Sequence, residues 1–216
     1  MYKAILKNLF VTLLVPGFSV FAQAQSPKVI SEVSVVYELS IEDANADANT
    51  VKAMNGAVKN LFIKGSKVRT DLVTPSFKQV FLHDSKSDTT VVLRELGNTK
   101  YLTYIDARKR TEQNRKYEGI TFINTEETKT ILGYECKKIV ARLKDGSQYN
   151  VFYAPSIIPS NRSFEYQFQD LPGFALEYEA QSEDGKTRVK YTATRITLTP
   201  VPVALFDIPR SGYRIL

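Results

Sequence analysis

Apolar and polar residues alternate with a period of two along most of this chain. Val33, Val35, Tyr37, Leu39 and Ile41 share one parity, and Glu32, Ser34, Glu38 and Ser40 share the other, with Val36 the exception. A strand sends successive side chains to opposite faces, so this pattern predicts a half-buried strand. Further strand signals follow in series over 59–64, 67–73, 77–84, 89–96 and 100–106. The links between these runs are turn-forming: Gly65-Ser66, Thr74-Pro75, 85–88 and Gly97-Asn98. Further strands are expected over 119–125, 128–144, 148–153, 174–181 and 186–198, with Asp145-Gly146 as a hairpin turn.

Two segments break the alternation. Residues 43–57 are rich in Ala, Asn and Asp, place Val51, Met54 and Val58 at helical spacing, and end at Gly56, which predicts a short helix. Residues 107–117 are densely charged and also read as helical. Residues 157–169 are irregular and span a gap between strands, and 203–206 form a helical turn before an extended tail.

About ten or eleven strands joined in series by short turns predict a mainly β, α+β fold built on one largely antiparallel sheet. A sheet of that width curls rather than staying flat. Apolar parity slips between Cys136 and Ile139 and again between Ala193 and Ile196, and each slip predicts a bulge that helps the sheet wrap. Leu171-Pro172-Gly173 predicts a corner. Pro172 fixes its own φ and keeps Leu171 extended, and Gly173 is expected at positive φ in a type II turn. Beyond the corner Phe174, Leu176, Tyr178 and Ala180 share one face.

The first 24 residues follow a different logic. Lys3 and Lys7 precede an apolar run from Leu9 to Phe21, and Ala22-Gln23-Ala24 is a small-residue cleavage signal, so residues 1–24 are expected to be a secretory signal and 25–216 one domain. The run is too short to cross a bilayer comfortably. No cysteine stands near the cut, so no lipid anchor is expected, and the destination is the periplasm or the exterior. The full chain carries a formal charge of +6; without Lys3 and Lys7, 27 basic residues face 23 acids. That mild, scattered surplus suits soluble strand faces, and nucleic acid is not an expected partner outside the cytoplasm. Cys136 is the one cysteine, so an internal disulfide is excluded and the core alone must hold the fold. It is expected to be a buried, inert thiol, with a reactive thiol beside Lys137 and Lys138 as the alternative.

Candidate chemistry is sparse. His83 is the one histidine and is expected at a hairpin end; no phosphate-binding loop, nucleophile elbow or zinc motif is present. Glu126-Glu127 and Glu183-Asp184 read as solvated loops. Asp43, Asn45, Asp47 and Asn49 alternate like the start of a calcium loop, but Ala48 replaces the bend glycine and Met54 the bidentate Glu. No metal, cofactor or catalytic residue is therefore expected. Arg108, Lys109, Arg110, Arg115 and Lys116 form the densest basic cluster and read as a solvated helix face, with lipid headgroup or anionic glycan contact as the alternative. Twelve Tyr and twelve Phe are the main enrichment. Tyr37, Tyr101, Tyr149, Tyr153, Phe174 and Tyr178 occupy inward-type positions, either as ordinary core or as the lining of a cavity for an apolar ligand.

Several motifs carry a resemblance. Leu171-Pro172-Gly173, flanked by Asp170 and Phe174, resembles the signature of the GLPGLI family and its sister families, exported proteins of unknown function found mainly in Bacteroidetes. Ile131, Gly133, Tyr134, Cys136 and Lys138 resemble their Ile-x-Gly-Tyr-x-Cys-x-Lys block, and 151–155 and 205–213 are similar to the blocks that follow. The match spans roughly 128–216. Phe174-Ala175 stands where Leu-Ile is common, which favours a sister family. The resemblance implies a LolA/LolB-like fold, a strongly curved and incompletely closed antiparallel barrel with short helices covering its mouth. It brings no catalytic residues. The function it suggests, with the aromatic positions, is non-enzymatic binding of a lipid or lipoprotein acyl chain in the concave face. The alternative is an envelope scaffold with a filled core and a protein partner.

Overall fold

The computed structural model describes residues 26–41, 46–181 and 187–216. The expected signal segment, Asp43, Asn45 and the Glu183-Asp184 pair lie outside them. The strands are β1 (Lys28–Ile30), β2 (Glu32–Ile41), β3 (Val58–Lys64), β4 (Lys67–Val73), β5 (Phe77–Asp84), β6 (Thr89–Leu96) and β7 (Thr99–Ile105). They continue as β8 (Thr121–Ile131), β9 (Tyr134–Arg142), β10 (Gln148–Ala154), β11 (Ile157–Pro159), β12 (Phe174–Gln181), β13 (Arg188–Thr197) and β14 (Arg214–Ile215). Two short helices, α1 (Ala48–Met54) and α2 (Ala107–Asn114), interrupt them. Twelve strands form one sheet in the order β14-β7-β6-β5-β4-β3-β2-β13-β12-β10-β9-β8, which is not closed into a barrel. Every neighbouring pair is antiparallel except β14 with β7, and β1 and β11 form a separate parallel pair.

The eleven long strands are the ones that the alternation predicts. The three additional strands are two or three residues long, too short to show a period. One boundary differs. Residues 128–144 are two strands, because Leu132 and Gly133 form a two-residue hairpin turn between the paired residues Ile131 and Tyr134. Both turn residues have positive φ, +51° and +82°, as a type I′ turn requires. The slip in β13 is a bulge at Thr194, which lies between the pairs Ala193–Tyr37 and Arg195–Val36. The slip expected in β9 falls on its partner: β8 bulges between Asn124 and Thr128 opposite Ile139 and Lys137, which puts Glu126 and Glu127 within a strand rather than a loop.

Cross-strand partners in an antiparallel ladder share a face, and the register shows that the sheet buries different faces in its two halves. One face carries Val33, Val35, Tyr37, Lys59, Leu61, Ile63 and Val68, packed with residues from β9, β10, β12 and β13 in one cluster. The other face carries Val80, Leu82, Val91, Leu93 and Leu102, packed against Val201 and Phe206. The helices do not do the expected covering. α2 buries no residue, because it reads Arg-Lys-Arg-Thr-Glu-Gln-Asn after Ala107 and has no apolar stripe, and α1 buries none but sets Met54 against Leu39, Ala57 and Val189. Two 3-10 turns, Arg162–Phe164 and Tyr166–Phe168, plug the first face with Phe164 and Phe168. The C-terminal segment from Val201 to Tyr213 straps the second.

Gly173 also corrects the expected corner. Its φ is not positive, so no type II turn forms. The residue must be glycine because a Cβ there would lie 2.4 Å from the Ala154 carbonyl oxygen and 2.7 Å from Cδ2 of Tyr153. The corner is a close crossing of two chain segments.

Candidate functional site

Of the six aromatic positions, the structure brings Tyr37, Phe174 and Tyr178 together, sets Tyr149 and Tyr153 beside them on β10, and leaves Tyr101 half-buried five strands away. Tyr37 and Tyr178 meet edge to face at 5.7 Å, and Tyr178 stacks on Tyr191 at 4.7 Å. Phe168 meets Tyr178 at 5.0 Å and Phe164 stacks on Phe174 at 5.2 Å. The Tyr37 hydroxyl donates to the Ala175 carbonyl at 2.9 Å.

Lys59 stands at the centre of these rings, an unexpected polar residue in the core. Its Nζ lies 5.7, 5.2 and 5.3 Å from the Tyr37, Tyr178 and Tyr191 rings, donates to the Tyr178 hydroxyl at 2.6 Å, and pairs with the Glu165 carboxylate. Burial pulls the amine down to about 7. Burial pushes Tyr191 up to about 12 and raises Tyr37 and Tyr178 as well. Glu165 sits between the two 3-10 turns, so this ion pair ties the plug to β3. The parity of β3 signals that Lys59 points inward; residue type alone hides it.

A narrow crevice lies beside these rings, next to Tyr149 and Phe168. The space left among Tyr117, Ile120, Leu143, Tyr149, Phe168 and Ala180 is about 20 Å³, room for about one water molecule. That crevice is too small for an acyl chain.

Cys136 is buried, and loss of solvation pushes its thiol up to about 11. Tyr134 packs against the same cluster, and the Leu171 carbonyl accepts from Arg162 at 3.0 Å. His83 is buried at the end of β5, its Nδ1 3.0 Å from the Thr90 hydroxyl. Arg110 donates to that hydroxyl at 3.0 Å and to Asp88 at 2.5 Å, so part of the basic cluster anchors α2 instead of facing solvent. His83 is held below the usual imidazole range by burial and by Arg110. Asp47 caps α1, accepting from the Thr50 amide at 3.0 Å. Among the described residues no group of three His, Cys, Asp or Glu side chains could hold a metal, and no helix is long and apolar enough to cross a membrane.

Open space lies along α2, in a polar groove of about 510 Å³ lined by Arg108, Glu112 and Arg115, and on the second face, under the C-terminal strap. Four polar ties pin the strap to the sheet. The Val201 amide donates to Glu32 at 2.7 Å, and Arg69 donates to the Leu205 carbonyl at 2.6 Å while also paired with Asp71. The Tyr213 hydroxyl donates to Glu95 at 2.6 Å, and the Leu216 amide to the Leu102 carbonyl at 2.9 Å. Between strap and β7 runs a groove of about 830 Å³, lined by Leu102, Tyr104, Phe206, Ile208, Arg210 and Ile215. A smaller crevice of about 160 Å³ flanks Phe206 and Ile208 on the other side, over Leu82 and Val91. Tyr104 is 56% exposed and Ile215 68%. Beside the groove β7 has seven residues, of which β14 pairs with two, Tyr101 and Leu102. The site therefore sets a mixed lining, Leu102, Phe206 and Ile208 beside Asp207, Arg210 and Ser211, next to an edge strand that pairs on that side at Tyr101 and Leu102 among the described residues. It escapes sequence reading because the strap has no period; its one signal is the apolar spacing of Leu205, Phe206 and Ile208 between prolines.

No family model matches the chain, so the GLPGLI resemblance stands on its motifs. No curated protein matches it in sequence. Among solved structures it is similar to PNGF-II at 18% identity and a TM-score of 0.42, over 85% of this chain and 30% of that one. It is similar to MucB at 8% identity and 0.41, over 83% of this chain and 58% of that one. It is also similar to a DUF1329 family protein from Desulfovibrio piger ATCC 29098 at 7% identity and 0.37, over 82% and 90%. The chain thus spans less than a third of PNGF-II. At these scores the likeness is loose, and the geometry of the two faces carries the functional reading.

Proposed function

We propose that this protein is a non-catalytic interaction module, exported and acting as one 25–216 unit in the periplasm or outside the cell. It holds an extended segment of a protein partner along the open edge of β7. The single observation behind this is the contrast in free space: about 20 Å³ beside the aromatic rings, against about 830 Å³ at the edge. A groove of that size suits a bound segment or ligand. An extended peptide satisfies edge amides and apolar pockets at once, which an acyl chain does not. The groove's charged lining, Asp207 and Arg210, is balanced, and Lys100 is paired with Glu95, so the apolar and backbone groups rather than net charge are expected to select the bound segment.

A second reading keeps the lipid but moves it. The lining residues Leu102, Tyr104, Phe206 and Ile208 would hold an acyl chain under the strap rather than among the aromatic rings. Peptide-display selection against the mature chain, run beside a fluorescent fatty-acid uptake assay, separates the two. Selected peptides are expected to weaken about tenfold on Tyr104→Lys and to ignore Val51→Lys on α1. Fatty-acid uptake with no peptide enrichment would assign the groove to lipid.

A further inference from the structure

The sheet ends on a strand of unusual economy. β14 is two residues long, is the one parallel neighbour in an otherwise antiparallel sheet, and exposes both side chains. Its burial contributes little. What holds it is the Tyr213 hydroxyl on Glu95 at 2.6 Å, Lys100 over the Tyr213 ring at 5.7 Å, and the Leu216 amide on the Leu102 carbonyl at 2.9 Å. A short strand can serve merely to blunt an edge against aggregation. Blunting does not call for an open groove alongside, yet about 830 Å³ flanks this strand, with Tyr104 standing exposed in it.

We infer that β14 is a resident stand-in for the partner: the chain's own tail occupies the β7 edge in the free protein, and the partner is an extended segment of aromatic-x-aliphatic pattern that replaces it in parallel register. The inference rests on the β7-edge reading above. The tail itself displays the required chemistry. Position 213 supplies an aromatic ring for Lys100 and a hydroxyl for Glu95, position 215 supplies an aliphatic side chain to the groove, and position 214 is exposed and does not line the groove. A partner binds only the fraction of molecules whose tail is released, so its apparent dissociation constant is the intrinsic one divided by that fraction. Loosening the tail therefore tightens the partner.

The test uses the full-length chain and a synthetic peptide of its own residues 209–216 as probe. Removing the Tyr213 hydroxyl from the chain (Tyr213→Phe) should tighten the probe about 3- to 10-fold, the worth of one hydrogen bond. Removing the same hydroxyl from the probe should weaken it by a like factor, and Glu95→Gln in the chain should shrink both differences. In the wild-type chain, hydrogen exchange at the Leu216 amide should rise as probe is added. Equal probe affinity for wild type and Tyr213→Phe, or slower exchange at Leu216, would overturn the inference. So would binding of display-selected peptides of unrelated pattern at a Tyr104-sensitive site while the probe fails, although the interaction reading would survive that result. Failure of the probe and of every selected peptide would remove the β7-edge reading itself. Melting temperatures of the variants establish that each is folded.

Discussion

Gly133 and Gly173 are both required, for opposite reasons. Gly133 sits at φ +82° with open space where a Cβ would go, so its requirement is conformational. Gly173 has no positive φ but faces the Ala154 backbone at 2.4 Å, so its requirement is steric. Gly133→Ala is expected to cost about 1–2 kcal/mol, the penalty of a left-handed residue. Gly173→Ala must move backbone and is expected to cost about 1–3 kcal/mol, as overpacking does. Urea midpoints measure both, and the distinguishing result is Gly133→Asn, which should recover most of the loss, since Asn tolerates that region. Lys59 poses the other residue-scale question. With Lys59 and Glu165 side chains 9% and 13% exposed, Lys59→Met leaves a buried carboxylate unpaired and should cost about 3–5 kcal/mol. Adding Glu165→Leu should restore most of that. A double mutant no better than the single would mean that the amine, through its three tyrosine rings, matters more than the pair. The sequence motif pointed to Leu171-Pro172-Gly173 correctly but assigned Gly173 the wrong constraint, because close approach between distant segments leaves no local trace.

Strands were legible where one face is apolar and long enough to show its period. β2 carries that signal over most of its ten residues, burying Val33, Val35, Tyr37 and Leu39 in alternation. The β8–β9 boundary was not, because Leu132 is an apolar residue in a position that wants Asn or Gly. It is half solvent-facing at 42% exposure and sits at φ +51°. Leu132→Asn creates the Asn-Gly pair that type I′ turns prefer and buries nothing less. The expected result is a stabilisation of about 1 kcal/mol, read as a rise in melting temperature. No change would mean that Leu132 earns its place through contacts with neighbouring strands. The bulge at Thr194 was legible for the converse reason: an inserted residue reverses the parity of everything after it, and both sides of β13 carry enough apolar residues to show the reversal.

At the scale of the molecule, what alternation cannot express is which face each half of the sheet buries. Period two marks a half-buried strand without saying what covers it, and here the covers are an aperiodic pair of 3-10 turns and an aperiodic strap. The two covers are held differently. The turns bring Phe164 and Phe168 deep into the core, whereas the strap is pinned at its ends by carboxylates. Glu32 is held below its ordinary range first by the Lys64 hydrogen bond and then by the Val201 amide. Glu95 is held low first by the Tyr213 hydroxyl and then by Lys100, with Lys78 adding to the same direction. A carboxylate whose folded value is depressed stabilises above its ordinary value and loses that contribution as pH falls through the depressed one. Acid should therefore loosen both ends of the strap. After correction for intrinsic rates, hydrogen exchange over 201–213 is expected to accelerate as pH falls below about 4.5, ahead of β2, β3 and β12. Replacing Glu32 and Glu95 together by Gln should flatten that dependence and leave the strap loose at neutral pH. If strap and central strands exchange in step at every pH, the strap is part of one cooperative unit with the sheet, and the groove beneath it opens only when the whole molecule does.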